Sequence, residues 1–336
     1  MNRRWRKRVT LVAFIAFVAI GLAVFFIFST SQSVSYPLLP NPNGYDDFLA
    51  AGNALTWNVD DPSALSENEL RVLIATNAEP LRLLRLGLTR RCSVPTKAAI
   101  TNFGKISTEL INQRRLVQLM AAEGRLAQLE KRPGDAARNY VDAIQFGNEI
   151  SHGGFVINRL VGITCESIGT FRLVKILPDL NCGQIRPLIA SLERIESGRV
   201  TWKEVMANEK KFAGSQLDHY SNPINRIKAY LEAWRVDKRA EVMQDKAIAR
   251  TRLLMLELAL RCYRAEKGQA PSSLEQLTTE YLRHLPADPF TTQPVIYRCQ
   301  GTHWLLYCLG PDKTDDGGKP LTRGTSSKGD FFLESL

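Results

Sequence analysis

A chain of 336 residues, 44% of them hydrophobic, carries enough apolar material for about two packed domains and is not a disordered polymer. Its formal net charge of +10 suggests nucleic-acid binding until its position is read. Arg3, Arg4, Arg6, Lys7 and Arg8 supply half of that charge, so no nucleic-acid partner is expected.

The basic tail, residues 1–8, runs into "VTLVAFIAFVAIGLAVFFIF", residues 9–28, an uncharged stretch that spans ~30 Å as a helix, the hydrocarbon thickness of a bilayer. Residues 9–28 therefore predict a transmembrane helix whose partner is the lipid bilayer. The rival, a cleaved signal peptide, has a shorter apolar region of ~7 to 15 residues. Lys and Arg stay cytoplasmic, so the expected location is a bacterial inner membrane, with the N-terminus inside and the bulk of the chain extracytoplasmic. The Ser, Pro and Asn of residues 29–44 read as a stalk linker.

The predicted fold class is mainly α: the transmembrane helix, a helical bundle or array over 45–245, and a small α+β module with a β-hairpin over 246–336. Ser66 with Glu69, and Thr201 with Glu204, match the capping box that satisfies free N–H groups at a helix start. Leu119, Ala122, Leu126 and Leu129 recur at helical spacing before Pro133 and Gly134. Tyr140, Ala143, Ile144 and Gly147 recur after them, which predicts an antiparallel helix pair without a strict repeat. Residues 153–177 are apolar, but Asn158, Arg159, Glu166, Arg172 and Lys175 make them a central bundle helix rather than a second span, with Gly162 and Gly169 admitting a close neighbour. Asn222 and Pro223 read as N-cap and N1 of a long helix, because neither Gly nor Pro recurs before Gly268.

Six cysteines lie beyond the predicted membrane span. Cys92 and Cys182 occupy loop-like sequence and form the candidate disulfide, while Cys165 and Cys262 fall inside helical patterns as small buried hydrophobes.

No catalytic motif occurs: His152, His219, His284 and His303 lack an HExxH frame, and there is no nucleophile elbow or phosphate loop. Arg159 and Glu166 pair as a structural or a functional couple, since charges inside a bundle need partners. The alternating charges of residues 237–252 read as a solvated helix face.

After Gly268, Ser272 with Glu275 predicts a short helix ending near Arg283. "PVIYR" and "HWLLYC" then predict a hairpin turning at Gly301, followed by a carboxylate-rich loop. Gly268 and Pro271, then Pro286, Asp288, Pro289 and Phe290, then Tyr297, then Leu309, Gly310 and Asp312, with Asp330, follow one another in order. Over roughly the last eighty residues this order resembles the C-terminal domain of the major pseudopilin of type II secretion systems. The whole layout resembles uncharacterised bacterial single-pass membrane proteins. The resemblance implies a bound calcium ion, with Asp312 and Asp330 at matching positions and Asp315 and Asp316 between them. Lys313 stands in place of a Gly, and the loop to Asp330 is longer. The competing reading is a solvated loop with local Asx turns. The Gly-Phe-Thr-Leu-x-Glu signature of processed pseudopilins neither precedes nor opens residues 9–28, so pilus assembly is not expected.

The expected function is interaction or scaffolding at the cell envelope, beside a type II secretion-like system, with protein partners of unknown identity. The alternative is an envelope enzyme with its site in the helical domain.

Overall fold

A computed structural model describes residues 38–59, 61–96, 103–217, 223–301, 303–322 and 328–335. The basic tail, the predicted span at 9–28, most of the stalk and the Asn222 cap lie outside the described residues. Those described form nine α-helices and one two-stranded antiparallel hairpin. The helices are α1 (Gly44–Ala54), α2 (Glu67–Thr76), α3 (Ala78–Leu88), α4 (Phe103–Leu129), α5 (Pro133–Glu149), α6 (Val156–Ile176), α7 (Cys182–Ser197), α8 (Trp202–Leu217) and α9 (Pro223–Lys267).

The helix starts follow local chemistry. Glu69 accepts from the Ser66 N–H at 2.7 Å while Ser66 Oγ accepts from the Glu69 N–H at 3.4 Å. The Thr201 and Glu204 pair repeats this at 2.8 and 3.2 Å. A third box joins Asn181 and Gln184, at 3.0 Å both ways.

Helices α4 and α5 form the expected pair, with Lys131 at φ 57° in the connection and Pro133 at the start of α5. Leu119, Ala122 and Leu126 are buried, whereas Leu129 ends α4 and is 44% exposed. Helix α6 crosses α5 at backbone contact. A methyl group on Gly162 would strike the Gly147 carbonyl and Ser151 Oγ, and one on Gly169 would strike the Tyr140 carbonyl and Ile144. Among the described residues no helix is long and apolar enough to cross a membrane, α6 included.

Two large hydrophobic clusters result. One joins α1 to α5 around Tyr45, Phe48, Leu116 and Phe146, with Phe48 and Phe146 edge to face at 4.9 Å. The other joins α5, α6, α7 and α9 to the C-terminal module. Helix α9 buries Leu253, Leu254, Met255, Leu256, Leu258, Ala259 and Leu260 around most of its circumference and keeps one polar stripe at Glu257 and Arg261, as befits a helix packed between two layers. Leu274, Leu277, Phe290, Val295, Leu306, Cys308 and Phe331 enter this same cluster. The module therefore shares its core with the helices, and the 245/246 boundary falls inside α9.

Gly268, at φ 78°, ends α9. In place of a short helix capped by Ser272, one 3₁₀ turn spans Leu274–Leu277, with Ser273 at its N-cap position. The Ser272 N–H donates to Gln276 Oε1 at 2.9 Å, so the capping box does not form. Strands β1 (Ile296–Gln300) and β2 (His303–Tyr307) pair from Ile296 opposite Tyr307 to Gln300 opposite His303, with Gly301 at φ 66° in the turn.

All six cysteines are free. The expected Cys92–Cys182 disulfide does not form because the two lie in different clusters. Cys92 is buried among α1 to α5, while Cys182 opens α7 beside Cys262.

Candidate functional site in the C-terminal module

Two buried aspartates organise the module. Asp288 Oδ1 accepts from the Phe290 N–H at 2.8 Å, and Oδ2 from the Leu309 N–H at 2.7 Å, which ties the Pro286–Phe290 turn to the strand exit. Asp330 accepts from the Asp316 N–H at 3.3 Å and the Gly318 N–H at 2.7 Å, folding the acidic loop back on the chain end. Burial raises the Asp330 pKa and the nearby Asp315 and Asp316 add to the rise, while the two amides oppose it.

The remaining loop carboxylates are partly committed. Asp315 accepts from the Tyr307 O–H at 2.8 Å, the Gly317 N–H at 2.9 Å and Arg298 at 3.0 Å. The Tyr307 bond leads the set that holds its pKa below the usual value. Asp312 forms an Asx turn with the Thr314 N–H at 3.3 Å. Asp316 Oδ2 is shielded from solvent and has no hydrogen-bond partner. No three of Asp312, Asp315, Asp316 and Asp330 bring carboxylate oxygens within 4.8 Å of one another. The loop is thus tied by backbone amides, and the bare Asp316 oxygen is the feature that suits a cation.

Arginines on α9 clamp the module to the helices. Arg252 donates to Glu196 at 2.6 Å and to the Ala287 carbonyl at 2.7 Å. Arg250 lies over Phe171 at 4.9 Å and Phe331 at 5.4 Å, and donates to the Ser335 carbonyl at 2.8 Å. Burial lowers the Arg250 pKa to about 10, and its Nε has no partner.

The Arg159 and Glu166 pair sits at the centre of α6 in a larger polar knot. Glu166 receives Arg159 on one oxygen and Arg199 on the other, the latter at 2.7 Å. Arg199 continues to Glu196 at 2.8 Å and Thr251 at 2.9 Å, and Arg159 also reaches Gln244. Burial alone would raise Glu166, but the two guanidiniums hold its pKa below the ordinary value. No cavity opens on this knot among those described, so it acts as internal wiring between α6, α7 and α9.

A cleft elsewhere gathers polar groups around a carboxylate. About 440 Å³ in volume, it is walled by Arg85, Glu123, Arg138 and Asn139 and contains Asp142. No hydrogen bond reaches Asp142 from a described residue, and burial raises its pKa to about 6, with Arg85 opposing. Glu149, about two turns further along α5, is raised to about 7 by burial, with a hydrogen bond from Cys92 opposing. His284 and His303 are exposed, His152 meets Asn148 at 3.2 Å, and His219 lies outside the described residues.

Arg199, Gln244, Arg252 and Asp142 were not legible as site residues in the sequence, because their partners lie on other helices. Asp142 had one weak signal, an acid set among the apolar positions of α5. No family model, curated protein or solved structure matches this chain.

Proposed function

We propose that this chain is a membrane-anchored extracytoplasmic interaction protein of the bacterial cell envelope, ending in a pseudopilin-like module and standing beside a type II secretion-like machine. The observation that carries the reading is Asp288, which locks the Pro286–Phe290 turn to Leu309, the point where the resembled family passes from strand to acidic loop. The module shares its core with α9, a helix of 45 residues and thus ~67 Å, and with the helices beside it, which suits a rigid platform that keeps the module's outer face in one orientation toward a partner. Calcium belongs to the proposal as a ligand of Asp316 and Asp330, supported by Asp312 and Asp315, on the strength of the bare Asp316 oxygen.

Topology is the direct test. A reporter fused after the last residue must be active only when exported, and the full chain must stay in the membrane pellet after alkaline extraction. A cytoplasmic C-terminus or a soluble chain contradicts the reading.

One observation favours an envelope enzyme instead: Asp142, whose pKa is raised by burial and which takes no hydrogen bond from a described residue, has the character of an acid or base awaiting a substrate. A small-molecule ligand that stabilises the wild-type chain but not Asp142→Asn would select that reading.

A further inference from the structure

Cys182 and Cys262 lie together with Glu266. One ligand atom from each, two Sγ and a carboxylate oxygen, fall within 4.8 Å of one another, and they are the sole such grouping of His, Cys, Asp and Glu among the described residues. We propose that these three side chains bind a borderline-soft divalent cation of the zinc class, with the fourth position open to solvent.

The placement is built by the fold. Cys182 is the first residue of α7, fixed there by the Asn181 and Gln184 box. Cys262 and Glu266 are four apart on α9 and so share one face. Cys182 meets the Cys262 carbonyl at 3.7 Å, which holds the two sulfurs side by side. Glu266 is oriented by Arg186 at 2.9 Å and by the Tyr281 O–H at 2.7 Å, the kind of outer support that metal-ligating carboxylates carry. Burial falls from Cys262, fully enclosed, through Cys182, half-buried, to Glu266, exposed, so the site has an entry from solvent.

Distances and charges agree. Ligands on a tetrahedral zinc stand about 3.8 Å apart, so a spread within 4.8 Å closes by small side-chain shifts. Two thiolates and a carboxylate around a divalent ion leave one negative charge, beside which Arg186 already stands. Binding a divalent ion releases the two thiol protons to solvent.

The test uses the purified full-length chain, reduced, with zinc alone in competition against a chromophoric chelator, and with cobalt as the spectroscopic probe. One equivalent of zinc and a thiolate-to-cobalt charge-transfer band are expected. Cys182→Ser and Glu266→Gln, at half-buried and exposed positions that leave the fold intact, should each abolish the tight equivalent; Cys299→Ser should leave it unchanged. The proposal is overturned if the wild-type chain retains no zinc, if both variants retain it, or if Cys182 and Cys262 are recovered as a disulfide that reduction does not convert into a zinc site.

Discussion

Asp288 Oδ2 accepts a 2.7 Å hydrogen bond from the Leu309 N–H, twenty-one residues away, while Oδ1 of the same carboxylate caps the turn at Phe290. A single buried side chain thus fixes both ends of the hairpin region. Replacing it with alanine strands two amides inside the module, each at about 1 to 3 kcal/mol. Asp288→Ala should therefore lower stability by about 2 to 6 kcal/mol in urea unfolding. A loss below about 1 kcal/mol would show that water replaces the carboxylate freely.

In the α6 knot, Glu166 neutralises two buried guanidiniums, whereas Arg159 has one carboxylate partner. Removing the shared acid leaves Arg159 buried with no carboxylate and Arg199 with Glu196 alone, whereas removing Arg159 leaves an acid still paired with Arg199. Glu166→Ala should cost about 3 to 5 kcal/mol, and Arg159→Met less. Equal losses would mean that the knot is a set of independent pairs.

The α5 and α6 backbones touch where Gly162 faces the Gly147 carbonyl and Ser151 Oγ. Gly162→Ala must push the helices apart, at about 1 to 3 kcal/mol, although alanine is the better helix former. A stabilised variant would refute the close crossing.

Glu149 titrates at about 7 in the folded chain, raised from an ordinary 4.5 by burial. The folded state then binds a proton that the unfolded state has released, so between pH 4.5 and 7 this group makes stability fall as pH rises. Asp142, raised to about 6, acts in the same direction. His152, whose pKa is lowered by burial, acts in the opposite one, so the informative quantity is a difference. Glu149→Gln should flatten the pH profile of the melting temperature relative to wild type over this window. An unchanged slope would contradict burial as the cause.

Calcium at millimolar concentration should raise the melting temperature of the chain, and Asp316→Asn should remove the shift. No shift in the wild type would leave the acidic loop as an amide-tied turn.

Local signals were read from the sequence with little difficulty. The Ser66 and Thr201 boxes, the Pro133 break, Gly268 and Gly301 each act within a few residues, and a capping oxygen or a positive φ needs no distant partner. The small-residue crossing was legible as well, because Gly162 and Gly169 fall on one stripe of an apolar helix. Long-range pairings were not. Cys182 met Cys262 and not Cys92, because eighty residues of helix packing decide which loop reaches which helix. Ser272 failed as a cap because Gln276 reached its amide first. Asp330 takes amides from Asp316 and Gly318, a role that depends on loop closure and was not legible in composition.

The central claim, that the terminal module meets a protein partner in the envelope, is tested most directly by site-specific crosslinking in cells. A photoreactive residue at the exposed Gln293, in the turn that Asp288 locks, is placed in the full-length chain. The account predicts a defined adduct with a component of a type II secretion-like system, absent when the same probe is placed at the exposed Lys131. Crosslinks to no defined protein, or identical ones from both positions, would contradict it.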